Sequence, residues 1–198
     1  MARDIYPICR SITGDGVRET LRRIGEVIPL EITEVPSGTP AFDWEIPKEW
    51  NIRDAYVADL AGRRWIDFRR HNLHVMSYST PVRTTMTLAQ LRPHLHTLPD
   101  RPDWIPYRTS YYREAWGFCL AHRDLERMPE GEYEVVIDSE LAPGNLTYAE
   151  CRVPGTSGSE VLIYTHVCHP SLANDNAIGI ACSAVLAAAL KERSAQLS

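Results

Sequence analysis

The spacing of apolar residues predicts one amphipathic helix near the start of the chain. An apolar residue recurs every three or four positions between residues 17 and 28, which is the period of a single helix face: Val17, Leu21, Ile24 and Ile28. Pro29 ends this pattern. Apolar and acidic residues then alternate over residues 30–35, which predicts a half-exposed strand.

The middle of the chain has a different pattern. Prolines and tryptophans interrupt residues 36–51, and this change is typical of a segment that crosses between two structural units. Short strands are predicted after it, with one short helix starting at Thr87. These strands cover residues 55–60, 64–68 and 73–78.

The sequence pattern of the last third of the chain predicts an α/β arrangement. Its three expected strands cover residues 132–137, 146–153 and 160–166. Turns at residues 143–145 and 154–158 separate them. Val161–Tyr164 is almost continuously apolar, as expected for an inner strand that is covered on both faces. A polar loop and a helix from Asn176 to Lys191 follow, and this order is half of a parallel α/β unit.

Composition narrows the functional classes. The chain has 198 residues, a formal net charge of −5, 44% hydrophobic and 24% charged residues, which is ordinary for a folded protein. The mild acidity argues against a nucleic-acid partner, and the lack of a run of about 18 apolar residues argues against a membrane span. The five cysteines form no Cys-x-x-Cys pair, so we expect reduced thiols and a cytoplasmic location.

Candidate chemistry is concentrated after the predicted inner strand. His166, His169 and Asp175 lie within ten residues, at the sheet edge where ligands bind in open α/β folds. Imidazole and carboxylate groups suit a zinc-type ion, and a hydrolytic zinc ion keeps one position for water. An alternative stays open, in which Asp175 or Asn174 caps the last helix and the histidines bond to loop backbone.

The same stretch resembles the first metal-binding segment of zinc-dependent aminopeptidases of the bacterial leucyl-aminopeptidase type. In those enzymes a strand ends in a ligand histidine, and a small-residue motif follows whose central Asp bridges two zinc ions. Residues 173–179, Ala-Asn-Asp-Asn-Ala-Ile-Gly, fit that motif with Asp175 as the central Asp. The similarity is closer to an aminopeptidase-like subgroup found among polysaccharide-biosynthesis genes. It is carried by Cys9–Gly16, Phe42–Ala55, His94–Pro99, Pro102–Pro106 and His166–Asn176.

This resemblance implies the first part of a zinc-exopeptidase-type mixed sheet with flanking helices. That part would cover residues 1–40 and 126–198, with a small β-rich domain inserted over residues 41–125. The implied activity is hydrolysis of a peptide or small amide next to a free amine, with one or two zinc ions.

His166 and Asp175 are the implied metal ligands, and His169 is an alternative ligand or a support for one. The pattern departs from the family at Cys168, where an Asp is usual, so the choice between the two histidines is open. The gap of nine residues between His166 and Asp175 favours His166.

The family takes further ligands and its general base from segments beyond the first metal loop, so this sequence is expected to correspond to the N-terminal part of the family's length. Two other functions therefore stay open: a non-catalytic relative that binds a partner, and a hydrolase of a sugar or metabolite amide. If a general base lies in the chain, Glu140, Glu150 and Glu160 are the first candidates.

Two further expectations follow. Two ligands are fewer than the three protein ligands of a catalytic zinc site, so zinc is expected to bind weakly or substoichiometrically. An uncovered strand edge and an apolar helix face are association sites, so self-association or docking with a second chain is expected.

Overall fold

A computed structural model describes residues 1–155 and 158–197. It contains both helices and sheets and divides into two compact units. The first unit comprises Met1–Lys48 and Pro143–Ser198, and the second unit comprises Glu49–Ala142. Thr156 and Ser157, which belong to the turn expected over residues 154–158, lie outside the described residues.

The helices and strands alternate irregularly along the chain. In chain order they are α1 (Ala2–Ile5), α2 (Asp15–Gly25), β1 (Glu31–Pro36), β2 (Pro40–Ala41), β3 (Trp44–Glu45), β4 (Glu49–Asp59), β5 (Arg64–Asp67), β6 (Val82–Thr87), α3 (Leu88–Leu91), β7 (Leu95–His96), β8 (Phe118–Cys119), α4 (His122–Arg127), β9 (Glu132–Ala142), β10 (Asn145–Glu150) and α5 (Ile178–Leu197). Single 3₁₀ turns occur at Asn72–His74 and Arg92–His94, and one wide helical turn, Ala173–Ala177, precedes α5.

The first unit is built around the amphipathic helix that the sequence predicts. The apolar face of α2 is buried in one core with α1 and the start of α5: Ile5, Val17, Leu21, Ile24, Ile28, Ala177, Ile180 and Ala184. Strand β1 lies where the alternation predicted a strand, and it pairs antiparallel with β10. Gly16 permits the close approach of the preceding loop, because a Cβ there would overlap the carbonyl oxygen of Cys9.

The second unit is a four-stranded antiparallel sheet in the order β5-β4-β9-β6. The long pair β4 and β9 forms its centre, with Val57 opposite Val135 and both side chains fully buried. Helix α3 begins as predicted, because Thr87 accepts a hydrogen bond from the Gln90 amide in a capping box. The helix covers the core with Leu88 and Leu91, both completely buried.

The unit boundaries differ from the expected 40/41 and 125/126. Strand β4 begins at Glu49, earlier than the strand expected from residue 55, and its partner β9 runs to Ala142. Because these two strands pair along almost their whole length, β9 belongs to the second unit rather than to the part expected over residues 126–198. The chain therefore passes from the first unit to the second between residues 48 and 49, and returns to the first between residues 142 and 143.

One strand predicted for the second unit is absent, and one observed strand was not predicted. Residues 73–78 were expected as a strand, but Asn72–His74 is a 3₁₀ turn, which starts where the His71 side chain accepts a hydrogen bond from the Leu73 amide. Residues 75–79, which follow the turn, make only isolated bridges. Strand β6 was not predicted, and its mostly exposed side chains explain why the apolar pattern did not reveal it.

The inner strand expected over residues 160–166 is also absent. Within residues 158–197, no strand or bridge forms, so the parallel half-unit does not occur there. Val161 and Leu162 are 88% and 91% exposed instead of covered on two faces. An apolar run forms a strand only when partner strands take up its backbone hydrogen bonds. This segment has no partner strand in the described part of the chain.

The last helix is longer than the predicted 176–191. Ile180 and Ala184 are buried in the core of the first unit, whereas Ile178 and Val185 are exposed. By length and composition alone, one segment of the described residues, Ala173–Arg193 with a mean hydropathy of 1.3, could cross a membrane. Core helices pass the same test, and the expectation of no membrane partner stays a prediction.

Candidate metal centre

The structure brings together the three candidate ligands that lie between residue 165 and α5. His166 and His169 come from the irregular loop, and Asp175 comes from the wide turn before the helix. One ligand atom from each residue lies within 4.8 Å of the other two. Among the described residues, no other group of three His, Cys, Asp or Glu side chains is as close. We refer to these three residues as the His–His–Asp cluster.

The Asp175 carboxylate faces both imidazoles, one with each oxygen. Its Oδ1 atom lies 2.6 Å from His166 Nε2, and its Oδ2 atom lies 3.3 Å from His169 Nε2. The ring centres of the two histidines are 5.0 Å apart. The hydrogen bond with His166, and then the charge interactions with the two imidazoles, lower the pKa of Asp175. The carboxylate is therefore ionised at neutral pH, as a metal ligand must be.

Asp175 does not cap a helix in this structure. Helix α5 begins only at Ile178, three residues beyond Asp175. The wide turn starts after Leu172, without a side-chain cap. Since its carboxylate contacts the imidazoles, the capping alternative does not describe Asp175.

The two histidines differ in their surroundings. The side chain of His166 is 41% exposed, and that of His169 is 19% exposed. Burial lowers the pKa of His169 below that of an ordinary histidine, although the nearby Asp175 charge acts in the opposite direction. A neutral imidazole is the form that binds metal ions, so partial burial prepares His169 for that role.

Buried polar groups fix the backbone of the loop. Arg10 is completely buried, and its Nε atom donates a hydrogen bond to the carbonyl oxygen of His169 at 3.0 Å. It also donates to the carbonyl of Ile5, and burial lowers its pKa to about 10. Ser171 donates to the carbonyl of Tyr6 at 3.0 Å. The N-terminal segment thus holds one side of the loop.

A second contact joins the two ends of the loop. Asn176 Nδ2 donates to Thr165 Oγ1 at 2.7 Å. Neither this pair nor Arg10 was expected from the sequence. Arg10 and Asn176 belong to segments that carried the resemblance, but no local pattern shows that a side chain will reach another part of the chain.

Cys168 does not have the surroundings of a nucleophile. Its Sγ atom lies 3.3 Å from His169 Nδ1, but burial raises the pKa of the thiol. A raised pKa lowers the fraction of thiolate, which is the reactive form. All five cysteines of the chain are free thiols. The expected reduced state and the cytoplasmic location stay predictions.

The glutamates considered as general bases are outside the His–His–Asp cluster. Glu140 belongs to β9 of the second unit, where it lies 3.4 Å from Arg53. Glu150 is the last residue of β10, and Glu160 is exposed in the irregular segment. Within residues 1–155 and 158–197, the only carboxylate in the cluster is that of Asp175.

The second unit coincides with a known sequence domain. Residues 49–140 match DUF2172, a domain of unknown function. This match spans almost the whole of the second unit, Glu49–Ala142. The cluster lies in the other unit, outside the match.

The chain is also similar to longer proteins. A Clostridium acetobutylicum protein, provisionally named a polysaccharide biosynthesis protein with an aminopeptidase-like domain, is 53% identical over 192 residues. The alignment covers 97% of this chain and 44% of that protein.

A crystal structure at 2.37 Å resolution, of a protein from Clostridium acetobutylicum provisionally named a peptidase, superposes with a TM-score of 0.95 and 53% sequence identity. It covers 96% of this chain and 45% of the other chain. The chain thus spans less than half the length of the relatives that it matches.

Proposed function

We propose that this chain carries the first metal-binding segment of a zinc-dependent, aminopeptidase-like hydrolase. The observation that carries the proposal is the convergence of His166, His169 and Asp175. The names of the two C. acetobutylicum relatives support a peptidase-like activity, and their identity of 53% extends over nearly the whole chain. In this proposal the first unit corresponds to the beginning of a zinc-exopeptidase-type fold, and its described strands form only the pairs β1-β10 and β2-β3.

The donor set of the cluster fits a zinc ion. Two imidazole nitrogens and one carboxylate are a ligand set of hydrolytic zinc sites, which use three protein ligands and one open position. Around a tetrahedral ion with bonds of about 2.0–2.1 Å, neighbouring ligand atoms are about 3.3 Å apart. The Oδ2–His169 distance is 3.3 Å and the Oδ1–His166 distance is 2.6 Å, so the two imidazoles face different oxygens of Asp175. Binding of one ion through one carboxylate oxygen would therefore require His166 and the exposed Asp175 carboxyl group to readjust, from a starting arrangement in which one ligand atom of each residue lies within 4.8 Å of the other two.

The three side chains would divide the work of holding the ion. Asp175 would supply negative charge, and its 60% exposure leaves one side of the cluster open to a substrate. His169 would be the more rigid ligand, because its backbone is held by Arg10. When bound, zinc supplies Lewis-acid polarisation of a substrate carbonyl and lowers the pKa of water. The proposed substrate is a peptide or small amide next to a free amine.

A third ligand candidate raises the expected zinc content. With His169 in the cluster, the proposal is one zinc ion per chain rather than a substoichiometric amount. A non-catalytic binding protein is the second candidate, because no glutamate of the described residues joins the cluster as a base. Hydrolysis of a sugar or metabolite amide stays an alternative for the substrate.

Zinc stoichiometry tests the proposal. After dialysis against micromolar zinc, elemental analysis should find one ion per chain, and Asp175→Ala should lose it while the melting temperature of the zinc-free protein changes little. His122→Ala, which alters a histidine of the second unit outside the cluster, should retain the ion. Equal zinc contents in all three proteins would contradict the proposal. Cleavage of an aminoacyl chromogenic substrate by the chain would favour the hydrolase over the binding protein.

A further inference from the structure

We infer that Thr165 and Asn176 are positioning residues, which set the separation of His166 and Asp175 for a metal ion. This inference rests on the proposed function. The Asn176 Nδ2 to Thr165 Oγ1 hydrogen bond of 2.7 Å is its basis, and we call this contact the Thr165–Asn176 clasp.

The clasp acts at the two backbone positions next to the ligands. Thr165 immediately precedes His166, and Asn176 immediately follows Asp175. The two hydrogen-bonded pairs, Thr165 with Asn176 and His166 with Asp175, therefore lie side by side along the same two backbone segments. In this inference, a change in the separation of the first pair alters the separation of the second through these shared backbone segments.

Burial distinguishes the two pairs. Asn176 is only 7% exposed, whereas the side chains of His166 and Asp175 are 41% and 60% exposed. A Cβ built on Gly179 would lie 3.4 Å from Thr165 Oγ1 and 3.5 Å from Asn176 Nδ2, so the clasp packs on the first turn of α5. The clasp is partly buried, whereas the His166–Asp175 hydrogen bond is exposed. Since water competes less for a hydrogen bond that is partly buried, the clasp is the better-protected contact beside an open ligand pair.

The wide turn has a separate source of stability. The Ala177 amide donates to the Leu172 carbonyl at 3.1 Å, and this bond closes the turn without either side chain of the clasp. Ala177 and Ile180 are also buried in the core of the first unit. Loss of the clasp should therefore alter the ligand separation more than it alters the folding of α5.

Zinc affinity is sensitive to such changes. Removal of a group that orients a metal ligand usually lowers metal affinity by about 10- to 100-fold. Thr165→Val keeps the shape of the side chain and removes Oγ1, so it should weaken zinc binding within this range. Thr165→Ser keeps the hydroxyl group and should bind zinc about as tightly as the unaltered chain.

The experiment measures zinc dissociation constants of the full chain by competition with a chromophoric chelator. The visible absorption spectrum of the Co²⁺-loaded protein is the second measurement, because it reports the arrangement of the ligands. It should change in Thr165→Val and be retained in Thr165→Ser. Asn176→Ala tests the other partner with Thr165 intact, and the double variant should be no weaker than either single variant if both changes break one contact.

The outcomes separate this inference from the proposed function. If the unaltered chain binds zinc and Thr165→Val binds it equally well, the clasp has no positioning role and the proposed function stands. If Thr165→Ser is as weak as Thr165→Val, the hydroxyl group is not the cause and the inference is also overturned. If the unaltered chain binds no zinc at the cluster, the proposed function fails and the clasp fails with it. Gly179→Ala is the packing control, since it touches both clasp atoms at ordinary contact distance and removes neither.

Discussion

Similar apolar side chains are buried in the second unit but exposed in the segment from residue 158 to α5. In the second unit, Val57 and Val135 face each other across the central strand pair and are fully buried. In the segment, Val161 and Leu162 belong to an equally apolar run but are almost fully exposed. The difference lies in strand pairing, because β4 and β9 have partners and the segment has none among the described residues. An apolar pattern indicates which side chains of a segment could be buried. Whether they are buried depends on the strands or helices that pack against the segment.

Matched leucine substitutions should give the largest difference between these two regions. Leu91→Ala removes a completely buried side chain of α3 and should lower the free energy of unfolding by about 2–5 kcal/mol, because it leaves a cavity. Leu162→Ala removes a side chain that is 91% exposed and should change it by no more than about 0.5 kcal/mol. Urea unfolding followed by far-ultraviolet circular dichroism measures both. Similar losses for the two variants would show that Leu162 is buried in solution.

Zinc binding should depend on the two cluster histidines and not on a histidine of the second unit. His166→Ala and His169→Ala should each weaken zinc binding by more than about 10-fold, because each removes one of the three proposed ligands. His94→Ala in the second unit is the control, since that ring stacks on Trp116 outside the cluster. Isothermal titration with zinc measures all three. If only one cluster histidine matters, the choice left open by the sequence is decided in favour of that residue.

The exposed apolar side chains should have a smaller effect, on association. Val185 is 61% exposed on α5, next to the exposed Leu186. Exposed apolar surface of this kind favours self-association, so Val185→Glu should lower the apparent mass of the chain at high concentration. Light scattering over a concentration series measures this. An unaltered chain that is already monomeric throughout the series would contradict the expectation.

Surface ion pairs should give the smallest effect, and a similar one in both units. Hydrogen bonds from Arg22 and Arg23 lower the pKa of Glu19 to about 2, from an ordinary value of 4.5. Arg53 likewise lowers the pKa of Asp138 in the second unit. Because these pKa values are lower in the folded state, the stabilisation is present above the ordinary pKa and is lost as the pH falls through the folded value.

The expected pH profile can be checked with charge-removing variants. Glu19→Gln should lower the melting temperature slightly at pH 7, and its difference from the unaltered chain should shrink below the ordinary pKa of 4.5 and be lost as the pH falls through about 2. Asp138→Asn should show the same direction of change. Added salt should reduce both differences, because exposed charges are screened. A difference that grows as the pH falls would contradict the assignment.

The sequence predicted those helices and strands whose apolar positions are the ones that the structure buries. Helix α2 could be predicted because its apolar face is buried within the same unit. Strand β6 could not be predicted, since its side chains are largely exposed and only its pairing with β9 identifies it. The run at residues 161–164 failed for the opposite reason: its pattern is strong, and its pairing is absent from the described residues.

The candidate site divides in a similar way. Residue type and spacing were enough to single out His166, His169 and Asp175, because metal-ligand chemistry limits the side chains that qualify. The supports could not be found in this manner, since Arg10 reaches the loop from 159 residues away along the chain. A buried arginine next to the loop follows from tertiary packing, which has no local signature.

The most direct test of the central claim is the position of a bound zinc ion. A crystal of the chain soaked in zinc should show one anomalous peak at the zinc edge, about 2.0–2.2 Å from the Nε2 atoms of His166 and His169 and from a carboxylate oxygen of Asp175. The peak should be absent in crystals of Asp175→Ala. A peak at another site, or no peak next to these residues at saturating zinc, would contradict the account.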